Sequence, residues 1–90
     1  SKKFLRKTFE TYMNPTLDLH GYKHHEVQNA VARFIEDWLG EGVFIDIITG
    51  HSEQMVKETV KVIQQYGLEY MTGLPEHSGK IRVVLYNDYH

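Results

Sequence analysis

Residues 16–21 read TLDLHG, and this short stretch decides how the rest of the chain is arranged. Leucines and polar side chains alternate along it, which predicts a β-strand with Leu17 and Leu19 on one face and Asp18 and His20 on the other. The leucines anchor the strand in a core, and the glycine that follows lets the backbone turn sharply where the histidine emerges. The stretch therefore places a carboxylate and an imidazole at the rim of a sheet, as a candidate acid–base pair.

Two elements with strong hydrophobic patterns follow this strand. Apolar residues recur at helical spacing between residues 25 and 39, which predicts an amphipathic helix. Its buried stripe is Val27, Ala30, Val31, Phe34, Ile35, Trp38 and Leu39. Gly40 and Gly42 then end the helix. Residues 43–49 are almost continuously apolar and rich in β-branched side chains, which is typical of a strand covered on both faces.

The second half of the chain continues the alternation of helices and strands. Ser52 is a good N-cap for a helix over residues 53–66. The inner stripe of this helix is Val56, Thr59, Val60 and Ile63, widened by Met55, Val62 and Tyr66. Residues 68–71 and 81–86 are predicted strands, and the loop over residues 72–80 between them contains glycine and proline.

The order of these elements predicts the fold class. Strand–helix–strand crossovers make the first three strands parallel, and the short last connection makes the fourth strand antiparallel. We therefore expect an α/β two-layer sandwich of topology βαβαββ, in which two helices cover one face of a four-stranded mixed sheet. This domain spans residues 16–86, between a basic and aromatic arm at residues 1–15 and a polar tail at residues 87–90. The arm packs its aromatic side chains on the domain, which its composition favours, or it grips a phosphate backbone or a partner chain.

Length and charge limit the classes of protein to which the chain can belong. Its 90 residues form one small domain. The 12 acidic and 10 basic residues give a formal charge of −2, which argues against a protein that coats nucleic acid non-specifically but allows local contact with phosphate. The chain has no cysteine and no apolar run of about 20 residues, so we expect no disulfide, no thiolate metal site and no transmembrane helix. We expect a cytoplasmic protein.

The ends of the predicted strands bring several polar side chains to one edge of the sheet. In open α/β sheets, ligands bind outside the carboxyl ends of the strands. His20 ends the first strand, His51 follows the second, and His77 and Lys80 lie in the loop before the fourth. Ser52 begins a helix at the same edge, and the free backbone N–H groups of a helix start favour an anion such as phosphate.

The face of the sheet that points away from the helices also gathers charge. Alternation places Asp46 and Arg82 on this face together with Asp18. Two acids and an arginine on one open face are either a charge-paired surface or a site, and alternation does not distinguish between the two.

Two motifs at the ends of successive strands resemble those of the Smr domain, the small MutS-related domain. The first is LDLHG at residues 17–21, followed by a helix that starts near the acidic Glu26. The second is TGHS at residues 49–52, in which the serine departs from the family's second glycine. Gly79, before the last strand, is similar to a glycine in the closing loop of the family. The resemblance covers about residues 16–86.

This resemblance implies a fold like that of the C-terminal domain of translation initiation factor three, in which the fourth strand lies between the second and third. It also implies an endonuclease that nicks DNA or cleaves RNA, with Asp18 and His20 as catalytic residues. The nucleic-acid-binding residues expected from the resemblance and from the polar edge are Thr49, Gly50, His51, Ser52, His77, Lys80 and Arg82.

The first functional hypothesis is a phosphodiesterase. His20 transfers a proton to or from the reacting oxygens, and Asp18 orients the imidazole or holds a divalent ion. Lys80, His51 and the start of the second helix stabilise the charge of the phosphate. RNA needs no metal because its own 2′-hydroxyl can attack, whereas DNA cleavage needs an activated water and a divalent ion such as Mg²⁺.

Two other functions fit the same residues. One is a non-catalytic module that binds nucleic acid, a ribosome-like particle or a protein, which the net charge and the missing glycine favour. In such a module Asp18 bonds backbone groups or Arg82. The other is a metal site made from His20, His51, His77 and Asp18, which is the least favoured because the spacing matches no compact zinc pattern.

Overall fold

The structure is a computed structural model that describes residues 14–41, 44–73 and 79–85. The elements within these ranges are β1 (Thr16–Asp18), α1 (His24–Trp38), β2 (Phe44–Ile48), α2 (Glu53–Gln65), β3 (Glu69–Met71) and β4 (Lys80–Val84). All six predicted elements are present, with ends within two residues of those predicted. Neither of the described helices has the length and apolar character that a membrane crossing requires.

Parts of the predicted organisation lie outside the described residues. These are residues 1–13 of the arm, the tail at residues 87–90, and His77 in the loop before β4. The two alternatives for the arm and the binding role of His77 therefore stay predictions.

The strands form one mixed sheet in the order β1-β2-β4-β3. β1 pairs with β2 in parallel, and β4 runs antiparallel to both β2 and β3. The predicted α/β two-layer fold is confirmed. β4 lies between β2 and β3, which is the arrangement implied by the resemblance. The carboxyl ends of β1 and β2 therefore lie at the edge of the sheet where β4 begins.

The core lies between the two helices and one face of the sheet. Its buried apolar side chains, each at most 5% exposed, are Leu19, Val27, Val31, Ile35, Trp38, Ile45, Ile47, Val62, Ile63, Ile81, Val83 and Leu85. Burying an aliphatic side chain of this size contributes about 1.5–3 kcal/mol, so packing rather than helix propensity stabilises α1 and α2. Leu39 differs from the prediction because α1 ends at Trp38, and the extended backbone of Leu39 leaves its side chain 43% exposed.

The register of the sheet separates an apolar face from a charged one. Isoleucines and valines that alternate along β2 and β4 are buried under the helices. On the opposite face, Asp46 pairs in register with Arg82 of β4 and with Thr16 of β1. Asp18 lies one step further along that face, opposite Ile48. The predicted sharing of the open face by Asp18, Asp46 and Arg82 is therefore confirmed.

β1 ends earlier than the sequence pattern predicts. The pattern placed the end of the strand at His20, but the paired residues stop at Asp18. Leu19 still donates its backbone N–H to the carbonyl of Ile48 at 3.0 Å. The chain then leaves the sheet in a turn that is closed by the N–H of Tyr22, which bonds the carbonyl of Leu19 at 3.0 Å. His20 lies in this turn, and its side chain is exposed.

Candidate functional site

The turns that follow β1 and β2 lie side by side at one edge of the sheet. The last paired residues of these strands are Asp18 and Ile48, so His20 and Gly50 each lie two residues further along parallel neighbours. Neighbouring strands are about 4.8 Å apart, which brings the two turns next to each other. His20 and Gly50 are both exposed. The structure therefore brings the two motifs together, with the imidazole at the surface.

The side chain of Asp18 bends back onto its own chain. Its Oδ1 accepts the backbone N–H of His20 at 2.9 Å. Successive N–H groups of a strand point to opposite sides, and the N–H of Leu19 points to β2. The N–H of His20 therefore points away from the sheet, and the carboxylate gives it the partner that the sheet does not. This geometry matches the alternative in which Asp18 bonds backbone groups.

The turn after β2 is bonded to the residue that precedes β4. The carbonyl of Gly79 accepts the backbone N–H groups of Thr49 at 2.8 Å and Gly50 at 3.0 Å. The Thr49 hydroxyl lies 3.2 Å from the same carbonyl and 3.1 Å from that of Gly50, so its one proton is shared between these acceptors. Thr49 is 7% exposed. Its hydroxyl is therefore committed to holding the turn.

Gly79 is placed where a side chain would not fit. Its φ is +82°, and a Cβ added to it would lie 3.0 Å from the carbonyl oxygen of Gly50 and 3.1 Å from its Cα. These separations are well inside van der Waals contact. The close approach explains physically why a glycine precedes β4. Sequence reasoning found Gly79 only through the resemblance, although a glycine at the start of a strand is itself a signal of close backbone approach.

Ser52 caps α2, as the sequence predicts. Its Oγ accepts the backbone N–H of Met55 at 3.2 Å. Its φ is −80°, which every L-residue adopts without strain. The backbone at this position therefore does not require the glycine that the Smr pattern has there, and the serine hydroxyl occupies one of the free N–H groups of the helix start instead.

An open groove of about 480 Å³ lies beside the turn after β2. His51, Glu53, Lys57 and Lys80 contribute polar groups to its wall, and Gly50 and Gly79 contribute backbone. Two lysines and an exposed histidine at the start of a helix favour a phosphate here, and the carboxylate of Glu53 opposes it. His51 and Lys80 are among the predicted binding residues, whereas Lys57 was not predicted, because its place on α2 gave it no motif.

Asp46 is the centre of an ion-pair cluster on the open face. Its carboxylate accepts the Nε of Arg82 at 2.8 Å and the Nη2 at 3.2 Å, a bidentate geometry. The Nζ of Lys80 lies 3.5 Å from Asp46 Oδ2, and the Nδ2 of Asn14 donates to the same oxygen at 3.5 Å. Of the two readings of this face, the structure supports the charge-paired surface. The sequence did not predict that Lys80 and Asn14 contact Asp46. For Lys80 a signal was present, because it lies two residues from Arg82 on β4 and therefore on the same face of the sheet.

The electrostatics of this cluster follow from its geometry. Asp46 is 3% exposed, and this burial works to raise its pKa. The hydrogen bonds and charge of Arg82 oppose it, with smaller contributions from Lys80 and Asn14, and the net effect is a pKa below the ordinary value. Asp46 is therefore ionised at neutral pH and holds part of the positive charge of Lys80 and Arg82 away from a ligand.

The described residues include no group of three or more histidine, aspartate or glutamate side chains that could bind a metal ion. Asp18, His20 and His51 do not form such a group, and His77 lies outside the described residues.

A second polar network joins the N-terminal halves of the two helices. Glu58 of α2 accepts the side-chain amides of Gln28 of α1 at 2.5 Å and Gln54 at 2.6 Å. The hydrogen bond from Gln28 is the largest cause of a lowered pKa at Glu58. Gln54 and Glu58 have the i, i+4 spacing of helix neighbours, which was the available sequence signal. The network fastens α1 to α2 near the starts of both helices, at the end of the domain that also carries the turns after β1 and β2.

No protein-family model, curated protein or solved structure matches the chain. The resemblance to the Smr domain therefore depends on the residues that carry it, namely residues 17–21 and 49–51, together with the glycine before β4. What the structure adds is the placement of those residues at one edge of a sheet with the expected strand order.

Proposed function

We propose that the chain is an Smr-like domain that acts on nucleic acid, and that its reaction is endonucleolytic cleavage of RNA. The observation that carries this proposal is the adjacency of the two turns after β1 and β2, which presents the exposed His20 beside Gly50 and His51. The exposed imidazole that follows β1 is suited to proton transfer, and the groove at the neighbouring turn, whose wall includes two lysines but not His20, is suited to a phosphate.

RNA is the substrate whose cleavage requires the fewest catalytic groups from the protein, because RNA carries its own nucleophile. Its 2′-hydroxyl attacks the adjacent phosphorus, so that a bond from O2′ to phosphorus forms as the bond from phosphorus to O5′ breaks. His20 takes the proton of the 2′-hydroxyl or gives a proton to the leaving 5′-oxygen. The free N–H groups at the start of α2 and the ammonium group of Lys57 lie near enough to the groove to stabilise the negative charge that develops on the phosphate.

Cleavage of labelled RNA by wild type, His20→Ala and His25→Ala tests this proposal. His25 is a matched control, because it is also an exposed histidine but lies on α1. Single-stranded RNA, structured RNA and supercoiled DNA serve as substrates. We expect wild type and His25→Ala to cleave RNA at similar rates, and His20→Ala to be about 10²–10⁴-fold slower. Equal rates for His20→Ala and wild type, or an inert wild type, would refute it.

A second candidate function is a module that binds nucleic acid without cleaving it. The observation that favours it is the engagement of the charged side chains: Asp18 bonds backbone, and Asp46 holds Lys80 and Arg82. Binding of a single-stranded RNA at several salt concentrations distinguishes the two functions. The module predicts an affinity that falls with salt, by about 0.7 in log–log slope for each phosphate neutralised, and no cleavage product.

The same proposal places the protein in the cytoplasm. A chain without cysteine is compatible with a reducing compartment, and a domain that cleaves or binds RNA meets its substrate there. Imaging of a fluorescent fusion of the protein tests this location, and a signal concentrated at a membrane or outside the cell would contradict it.

A further inference from the structure

Asp18 and His20 are joined through the backbone and not through the imidazole. The N–H of His20 donates to Oδ1 of Asp18 at 2.9 Å, and this is the one hydrogen bond that the carboxylate makes to the described residues. Sequence reasoning treats the two side chains as a pair that exchanges or steers a proton. In the structure, the carboxylate instead closes a small ring with the peptide group of the histidine.

Two hydrogen bonds hold the peptide group that joins Leu19 to His20. Its carbonyl, that of Leu19, accepts the N–H of Tyr22, and its N–H, that of His20, donates to Asp18. Leu19 itself is fixed by its bond to Ile48 and by a side chain that is 1% exposed in the core. Loss of the bond to Asp18 leaves this peptide group held by its carbonyl alone, and tilting of the group about that bond would swing the imidazole across the edge of the sheet.

We propose that Asp18 is a positioning residue, whose carboxylate fixes the backbone of His20 and thereby the place of the imidazole, and that it carries no proton in the reaction. This inference rests on the proposed function of His20. A bond from an aspartate or asparagine oxygen to the N–H two residues later is a turn-forming bond, and it needs an acceptor oxygen rather than a charge. Displacing a catalytic group by about 1 Å can cost on the order of 100-fold in rate, so such a residue matters without touching the substrate.

Three substitutions separate positioning from chemistry. Asp18→Asn keeps the acceptor oxygen and removes the charge, Asp18→Ala removes both, and Asp18→Glu keeps the charge but moves the oxygen one methylene further out. We expect RNA cleavage by Asp18→Asn to stay within about 3-fold of wild type, and Asp18→Ala and Asp18→Glu to lose at least about 10-fold. A carboxylate that transfers a proton, steers the imidazole or holds an ion predicts the opposite order, with Asn as poor as Ala. That result would overturn the inference.

A second readout does not depend on activity. In ¹H–¹⁵N spectra of the wild type, the amide proton of His20 should shift as the Asp18 carboxylate is protonated, because a hydrogen bond to a charged acceptor is stronger than one to a neutral acceptor. Asp18→Asn should abolish this pH dependence and keep the amide protected from exchange. Asp18→Ala should reduce that protection about 5-fold or more, which corresponds to the loss of a hydrogen bond worth about 1 kcal/mol.

The cleavage assay and the His20 amide signal test the proposed function and the positioning role independently. A His20 amide that ignores the titration of Asp18 would overturn the positioning role even in a protein that cleaves RNA. An inert wild type whose His20 amide follows Asp18 would refute the proposed function while supporting the positioning role.

Discussion

Replacing Gly79 by alanine tests how tightly the turn after β2 is tied to the start of β4. The added Cβ would lie 3.0 Å from the carbonyl oxygen of Gly50 and 3.1 Å from its carbonyl carbon and Cα. Relief of these contacts requires the two backbones to separate. The N–H groups of Thr49 and Gly50 both donate to the Gly79 carbonyl, so a separation lengthens two hydrogen bonds at once.

The expected cost has two parts. An alanine at a φ of +82° is strained by about 1–2 kcal/mol. Weakening one or two backbone hydrogen bonds adds about 0.5–3 kcal/mol. The total is about 1.5–5 kcal/mol, against a stability of roughly 5–13 kcal/mol for a domain of this length. We therefore expect Gly79→Ala to fold but to be markedly less stable than wild type.

Gly40→Ala is the matched control, because Gly40 has a φ of +81° but open space around its Cβ position. Its strain and its effect on the unfolded chain are the same as those of Gly79→Ala, so the difference between the variants isolates the contact with Gly50. Urea unfolding followed by circular dichroism measures both. We expect a loss of about 1–2 kcal/mol for Gly40→Ala and at least 1 kcal/mol more for Gly79→Ala. Equal losses would show that the contact with Gly50 does not constrain the turn.

Two further changes test the charged cluster and the core. Asp46→Asn removes the charge that holds Arg82 and Lys80, and we expect a loss of about 1–3 kcal/mol at pH 7 by urea unfolding, less than for a fully buried pair because the Arg82 side chain is 29% exposed. Since the pKa of Asp46 is lowered on folding, the unfolded chain binds more protons in acid, so this difference should be complete above about pH 5 and shrink as the pH falls below the ordinary value of 3.8. A difference that grows in acid would contradict the ion pair. Thr59→Val removes a hydroxyl that is 0% exposed and has no hydrogen-bond partner among the described residues, and we expect it to stabilise the protein by about 1 kcal/mol in the same unfolding assay, with Thr59→Ala as the control that also loses packing. No gain in Thr59→Val would mean that the hydroxyl is satisfied.

The fold was predictable because its signals are local and agree with one another. The apolar stripe of α1, the β-branched run of β2 and the N-cap at Ser52 each determine one element, and the handedness of crossovers then limits the topology. The position of β4 between β2 and β3 was not predictable from local signals. Periodicity does not reveal which strands pair, so this arrangement came from the resemblance and was confirmed by the sheet order.

The details of the site were less predictable because they depend on contacts between distant residues. Alternation correctly placed Asp46 and Arg82 on one face, but only the register shows that they lie opposite each other and form a bidentate pair. The bond from the His20 N–H to Asp18 forms where β1 ends, on the side of this edge strand that has no neighbouring strand, and alternation does not reveal it. The approach of Gly79 to Gly50 joins segments about thirty residues apart, and no local pattern encodes that distance.

The most direct test of the account is a titration of ¹⁵N-labelled protein with a short single-stranded RNA. Because the turns after β1 and β2 form one surface, the amides of His20, Gly50 and His51 should shift together and saturate at the same RNA concentration. Those of Glu36 and Tyr66, whose side chains are hydrogen-bonded to each other near the C-terminal ends of the two helices, should stay in place. Shifts centred on Glu36 and Tyr66, or turns that respond with different affinities, would contradict a single nucleic-acid site at this edge of the sheet.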